Sequence, residues 1–162
     1  VTLFFSNANL APEAEWQKRL ESVQNLAHHY ALPLLIDEPS HTEWLSQVAA
    51  GFEQEPERGK RCERCFRYSL LRTYEATLEK KFDAFTTSLT VSPHKSTALI
   101  FQVGKALSEV RFLAVDFKKQ NGFKHSLELS EKLGLYRQSY CGCEFSVPHV
   151  VRPLQIVNTA RA

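Results

Sequence analysis

Two short apolar runs, VTLFF at residues 1–5 and LPLLI at residues 32–36, are separated by a stretch long enough for one helix. Within that stretch Trp16, Leu20, Val23, Leu26 or Ala27 and Tyr30 recur at helical spacing. Pro12 is tolerated in a first turn, and Glu13 and Glu15 suit the positive end of the helix dipole. A strand, a helix and a strand in this order pack back on one another as parallel neighbours joined by a right-handed crossover. The spacing therefore predicts an α/β chain rather than one built from hairpins.

The alternation continues along the chain. Asp37–His41 reads as a loop before a helix from Thr42 to Ala49, and GFEQEPERGK as an exposed loop broken by Pro56 and Gly59. RCERCFRYSLLRTYEATLEKKF reads as a helix with Phe66, Leu70, Leu71, Tyr74 and Leu78 on one side. DAFTTSLTV is expected to be a strand, Ser92 an N-cap with Pro93 at the first helical position, and TALIFQVGKALSEV the helix that follows. RFLAVDF is expected to be the next strand, and residues 126–136 a helix ended by Gly134. The expected fold is a three-layer α/β sandwich with a mostly parallel sheet, residues 1–146 forming the domain and 147–162 a tail without pattern. The chain holds no Met and opens at Val1 on an apolar run, so a strand is expected upstream in a longer parent.

With 43% hydrophobic and 23% charged residues the chain has the composition of a globular protein, which excludes large-scale disorder. A formal net charge of +2 permits an RNA partner without requiring one. No apolar run reaches the roughly 18 residues of a membrane span, and no leader is evident, so the expected setting is cytoplasmic and reducing. There, cysteines grouped in pairs point to metal or redox chemistry rather than disulfides.

The four cysteines form two such pairs. Cys62 and Cys65 make a C-x-x-C at a helix start, one turn apart, where the dipole favours thiolate. Cys141 and Cys143 make a C-x-C whose side chains point the same way in extended backbone, and Gly142 lets the chain bend closely between them. Four thiolates in two separated pairs suit an iron–sulfur cluster or a tetrahedral zinc, and reactive thiols are the third reading. The C-x-C departs from the usual spacing of structural zinc sites.

Around these pairs the sequence reads as FSNANLAPEAEWQKRL, WLSQVAAGFEQEPERGKRCERCFRYSLLRT, FDAFTTSLTVSPHKS, DFKK and LGLYRQSYCGCEFS. In that order they resemble the signature segments of the QueH-type epoxyqueuosine reductases over residues 1 to about 146. The resemblance implies a Rossmann-like three-layer fold and a tRNA-modifying enzyme that removes the epoxide oxygen of epoxyqueuosine at the wobble position. It implies a [4Fe-4S] cluster held by Cys62, Cys65, Cys141 and Cys143, fed by an electron donor of unknown identity. Members of the family also carry a Cys-Cys-x-Pro segment that holds a second metal ion, and this sequence has no such motif. Two other classes stand beside this one: a zinc-stabilised RNA-associated module, and a catalytically inactive truncated homologue.

Ligands of open α/β sheets gather beyond the carboxyl ends of the strands, which singles out SNANLAP, TVSPHK and VDFKKQNG. Asp116, at the end of RFLAVDF, is the candidate catalytic proton donor, with a plain loop carboxylate as the alternative. Candidate substrate contacts are Asn7 and Asn9 at the pocket mouth, Ser92 and Lys95 as an anion site, Lys118 for RNA phosphate, and Arg137 for phosphate or cluster charge. Turn-making, capping and solvated charge are the corresponding structural readings. His28, His29 and His41 are read as ordinary histidines, and Arg61 as a helix-surface charge within reach of cluster or RNA.

Overall fold

The computed structural model describes residues 1–38 and 40–147. The first two apolar runs form β1 (Leu3–Ser6) and β2 (Leu34–Asp37), and the helix between them is α1 (Glu13–His29). The strands pair in parallel from Leu3 opposite Leu34 to Ser6 opposite Asp37, as the strand–helix–strand order requires. Phe5, Leu10 and Leu20 are buried between β1 and α1, with Trp16, Val23 and Leu34 packed against them. Tyr30 departs from the expected apolar face: it follows the last helical residue and is 48% exposed.

The strand pairing brings Ser6 and Asp37 side by side, and Ser6 Oγ donates to the Asp37 carboxylate at 2.6 Å. Arg72, from α3 (Lys60–Glu79), makes a two-pronged ion pair with the same carboxylate and ties that helix to the sheet. Burial pushes the Asp37 carboxyl up, but the Arg72 and Ser6 hydrogen bonds and the Arg72 charge outweigh it and hold the group below its ordinary value.

α2 (His41–Trp44) starts on Ser40, whose Oγ accepts from Glu43 N, and continues into a wider π-type segment, Leu45–Ala49. Trp44, Val48 and Ala49 bury against Ala8, Tyr68 and Cys143. On the other side of α3, Phe66 and Leu70 pack with Phe85, Phe112 and the Ile100 and Val103 face of α4 (Thr97–Leu107). Gly104 of α4 lies so near the Phe112 ring that a Cβ there would collide with it.

Four expectations are corrected here. DAFTTSLTV and RFLAVDF do not form strands: they share one parallel bridge, Phe85 with Phe112, and then part. The cause is threonine chemistry. Thr86 Oγ1 donates to Leu113 O at 2.8 Å and Thr90 Oγ1 to Val115 O at 2.9 Å, so hydroxyls take carbonyls that a ladder would need. Thr87 Oγ1 accepts from Leu89 N and starts a 3-10 turn, Ser88–Val91. Ser92 is not an N-cap; its N–H closes that turn on Leu89 O, and Ser96 Oγ caps α4 by accepting from Leu99 N. α4 ends at Leu107, short of Val110, and Val110 is 91% exposed.

α5 (Gly122–Lys132) begins four residues earlier than residue 126, and Gly134 follows its end at φ +60° as expected. Among the described residues the sheet consists of two parallel strands with the Phe85–Phe112 bridge apart from it. The expectation for 147–162 falls, apart from Val147, outside the described residues. Among the described residues no helix is long and apolar enough to cross a membrane.

Candidate metal centre

Cys62 and Cys65 lie in the first two turns of α3, which starts at Gly59. The loop before it is fixed by Arg61, 2% exposed, whose Nη1 donates to the carbonyls of Phe52, Glu53 and Glu55 at 2.8, 3.1 and 2.7 Å. Arg61 is thus a buried loop staple with its guanidinium over the Phe145 ring, not the surface charge expected. Arg64 donates to Val48 O and Gln47 O, at the carbonyl end of the π-type segment, where a cation is favoured. With the loop held, Arg58 N–H donates to Cys62 Sγ at 3.2 Å, and its guanidinium reaches His94 Nδ1 at 3.3 Å.

The C-x-C arm returns to the same place from the far end of the sequence. Ala11 N–H donates to Gly142 O at 2.9 Å, and Tyr140 Oη donates to Ala11 O at 2.6 Å. Arg19, from α1, donates to Cys141 O at 3.1 Å and Tyr140 O at 3.3 Å. Arg19 is itself held by Glu15 at 2.7 Å, a carboxylate only 6% exposed that also accepts from Tyr136 Oη at 2.7 Å. Gly142 adopts φ +127°, and a Cβ there would be driven into Leu10 Cδ2 and against the Arg19 guanidinium. The close bend expected of this glycine is present, and its physical cause is the docking of the arm on α1.

Ser146 Oγ accepts from Gly142 N at 3.2 Å and lies 3.6 Å from Cys143 Sγ. His41 meets Ala8 O through Nδ1 at 2.7 Å and the Glu144 carboxylate through Nε2 at 3.1 Å, so it ties the first loop to the arm.

The two arms carry the cysteine pairs toward one another, with Cys65 and Cys143 in one packed cluster. None is in a disulfide, and Cys143 is buried beside Ala8, Trp44 and Tyr68 with Cys65 packed against the same cluster. Burial raises the Cys62 thiol above its ordinary value, opposed by the Arg58 N–H and reinforced by the charge of Cys141. Burial pushes the Cys65 thiol up to about 12; Cys141 adds to this, while the Trp44 indole and Lys95 work against it. The helix start was expected to favour thiolate at both positions, and desolvation overrides it.

Lys95 Nζ stands 3.2 Å from Cys141 Sγ. Lys118 Nζ donates to Ser92 O at 3.3 Å and Lys95 O at 3.0 Å, so its ammonium braces the turn that presents Lys95. Asp116 Oδ1 accepts from Lys118 N at 3.1 Å in an Asx turn. Arg137 is exposed and reaches Ser130 Oγ at 3.4 Å; the arginine on the C-x-C arm is Arg19. Asn7 lines a pocket of about 320 Å³ with Ala8, Leu10, Trp16, Gln17 and His41, and Asn9 is half-buried in the same loop. Sequence reasoning missed Arg19, Glu15 and Arg58. Glu15 and Arg19 are four apart on α1, a pattern that reads equally as a surface ion pair.

An all-thiol donor set fits a soft metal or an iron–sulfur cluster and does not fit hard, oxygen-seeking cations. Among the described residues no three His, Cys, Asp or Glu side chains form a group able to hold a metal ion as they stand.

The model of the family described as "Epoxyqueuosine reductase QueH" matches residues 1–149. The epoxyqueuosine reductase QueH of Streptococcus pyogenes serotype M1 is 36% identical over 155 residues, covering 90% of this chain and 60% of its own length. That of Thermotoga maritima is 37% identical over 150 residues, covering 89% and 78%. That of Staphylococcus epidermidis is 30% identical over 156 residues, covering 90% and 66%. The chain thus spans about three fifths of the first of these relatives.

Proposed function

Because the chain belongs to the QueH family of epoxyqueuosine reductases, we propose that it serves the reductive removal of the epoxide oxygen of epoxyqueuosine in tRNA. The observation that supports this is the pair of motifs C-x-x-C and C-x-C within the matched span, their four cysteines free, Cys65 and Cys143 packed in one cluster and Lys95 Nζ on Cys141 Sγ. The reaction takes up two electrons and two protons, breaks both carbon–oxygen bonds of the epoxide, forms a carbon–carbon double bond and releases water. A [4Fe-4S] cluster on Cys62, Cys65, Cys141 and Cys143 would supply electrons singly from a donor that remains to be identified. A second metal ion, implied by the resemblance, would belong to the Cys-Cys-x-Pro segment of a full-length parent, a motif this sequence does not contain.

The chain's own residues then have distinct tasks. Arg19, Tyr140 and Ala11 hold the C-x-C arm against α1, and Arg58 holds Cys62. Asp116 is the proposed proton donor; it is half-exposed, and its Oδ1 accepts from Lys118 N. Asn7 and Asn9 would meet the modified base at the pocket mouth. Ser92, with Lys95 on the turn that it opens and Lys118 bracing that turn, would wall the anionic side, and Arg137 would take RNA phosphate. Residues 1–146 would act as one domain, with the parallel β1–β2 pair as part of a three-layer Rossmann-like sandwich. A cytoplasmic setting follows from a tRNA substrate and keeps the thiols reduced.

The test is anaerobic purification followed by the visible spectrum and iron, sulfide and zinc analysis. Brown protein with iron and sulfide is expected; a colourless protein holding one zinc and no sulfide would establish the zinc-module reading instead. A full-length parent with its cluster intact that leaves epoxyqueuosine tRNA unreduced under reducing conditions would establish the inactive-homologue reading.

A further inference from the structure

Lys95 carries a charge that no carboxylate of the described residues answers. The ion pairs of the described chain involve Arg19, His41, Arg72, Lys80 and Lys124, and not Lys95. Its Nζ is instead 3.2 Å from Cys141 Sγ and 5.5 Å from the centroid of the Phe66 ring. An ammonium on a flexible stem is strongly hydrated and ordinarily turns to water. Here the backbone is fixed from behind: Lys118 Nζ holds the carbonyls of Ser92 and Lys95, and Lys95 N–H donates to Ser92 O at 3.3 Å. One lysine is thereby used to aim another at a sulfur.

We infer that Lys95 sets the reduction potential of the metal–sulfur centre that Cys141 helps to hold, its fixed charge favouring the electron-loaded state. The inference rests on the iron–sulfur reading above and goes beyond it by naming the residue that governs electron affinity. Uptake of one electron makes a thiolate-bound centre one unit more negative, with no bond broken and no proton moved. A cation hydrogen-bonded to a ligand sulfur stabilises the reduced form more than the oxidised form, so the potential rises. Phe66 excludes water from one side of the ammonium, which preserves the effect from screening. Lys95 thus acts through Cys141, as a positioning charge rather than a group that touches the epoxide.

The experiment compares the 162-residue protein with Lys95→Gln and Lys95→Arg after anaerobic reconstitution. Iron and sulfide per chain are measured, and the midpoint is read by electron paramagnetic resonance during titration with dithionite, the one-electron source. Lys95→Gln is expected to keep full iron and sulfide and to take up the electron at least about tenfold less readily, a midpoint lower by about 59 mV. Lys95→Arg, which keeps the charge, is expected to recover at least half of that shift. A loaded Lys95→Gln whose midpoint is unmoved overturns the inference and leaves the iron–sulfur reading standing. Loss of the cluster in Lys95→Gln also overturns it, since Lys95 would then hold the centre rather than tune it. Wild-type protein that takes up no iron and no sulfide overturns both.

Discussion

Replacing Gly142 by Ala probes the docking of the C-x-C arm directly. At φ +127° an L-residue sits in a region populated essentially by glycine, at a cost of about 1–3 kcal/mol. The new Cβ also meets Leu10 Cδ2 and the Arg19 guanidinium, and moving a packed leucine off its rotamer adds about 1 kcal/mol. Together these weaken the docked arm by about 2–4 kcal/mol. The arm is fastened by few bonds, so the strain is relieved by lifting it from α1 rather than by unfolding the domain. The reporter is the Ala11 amide, whose hydrogen bond to Gly142 O exists only while the arm is docked. Its hydrogen exchange is expected to speed up by about 30- to 1000-fold, at about tenfold per 1.4 kcal/mol. Gly134→Ala is the control, since its φ of +60° carries a smaller strain and nothing lies within 4 Å of the added Cβ. Equal Ala11 exchange in wild type and Gly142→Ala, measured by mass spectrometry on the intact protein, would refute the docking argument.

Arg19→Met removes both bonds to the arm and leaves Glu15, only 6% exposed, without its cation; a loss of about 3–5 kcal/mol is expected in urea unfolding. Asp37→Asn is expected to cost about 2 kcal/mol at pH 6. Because the folded Asp37 carboxyl lies below its ordinary value of 3.8, the stabilisation is complete above that pH and is lost as pH falls through the lower folded value. Thermal melts should therefore show a steeper decline below about pH 4 in wild type than in Asp37→Asn. Gly104→Ala pushes the Phe112 ring out of its packed position and is expected to lower the melting temperature by about 3–10 °C, through about 1–3 kcal/mol of overpacking. Cys143→Ser is expected to abolish iron and sulfide retention after desalting, since the C-x-C arm then offers one thiolate in place of two.

The parts of the fold that were legible in the sequence are those whose pattern is local. β1, α1 and β2 follow from two apolar runs and a helical period, and α3 from its apolar stripe. DAFTTSLTV and RFLAVDF misled because β-propensity counts threonine as a strand former, whereas Thr86 and Thr90 bond the carbonyls of Leu113 and Val115 through their hydroxyls. Ser92 misled for a related reason, since Ser96 offers the same capping chemistry four residues later and Ser92 N–H closes the preceding turn. At the site, the identity of the four candidate ligands was legible, because few side chains share the chemistry of cysteine. The upward push on the Cys62 and Cys65 thiols was not, because it comes from burial, which depends on what packs there.

The sequence by itself determined the parallel strand–helix–strand unit and the two cysteine pairs, since periodicity and side-chain type are properties of the chain read in one dimension. Only the tertiary structure decided which charges meet those cysteines. Arg19 reaches the carbonyl of Cys141 from 122 residues away, and Lys95 reaches its sulfur from 46. Spacing along the chain carries no record of such meetings, because they are fixed by where packing sets α1 and the turn before α4 against the C-x-C arm.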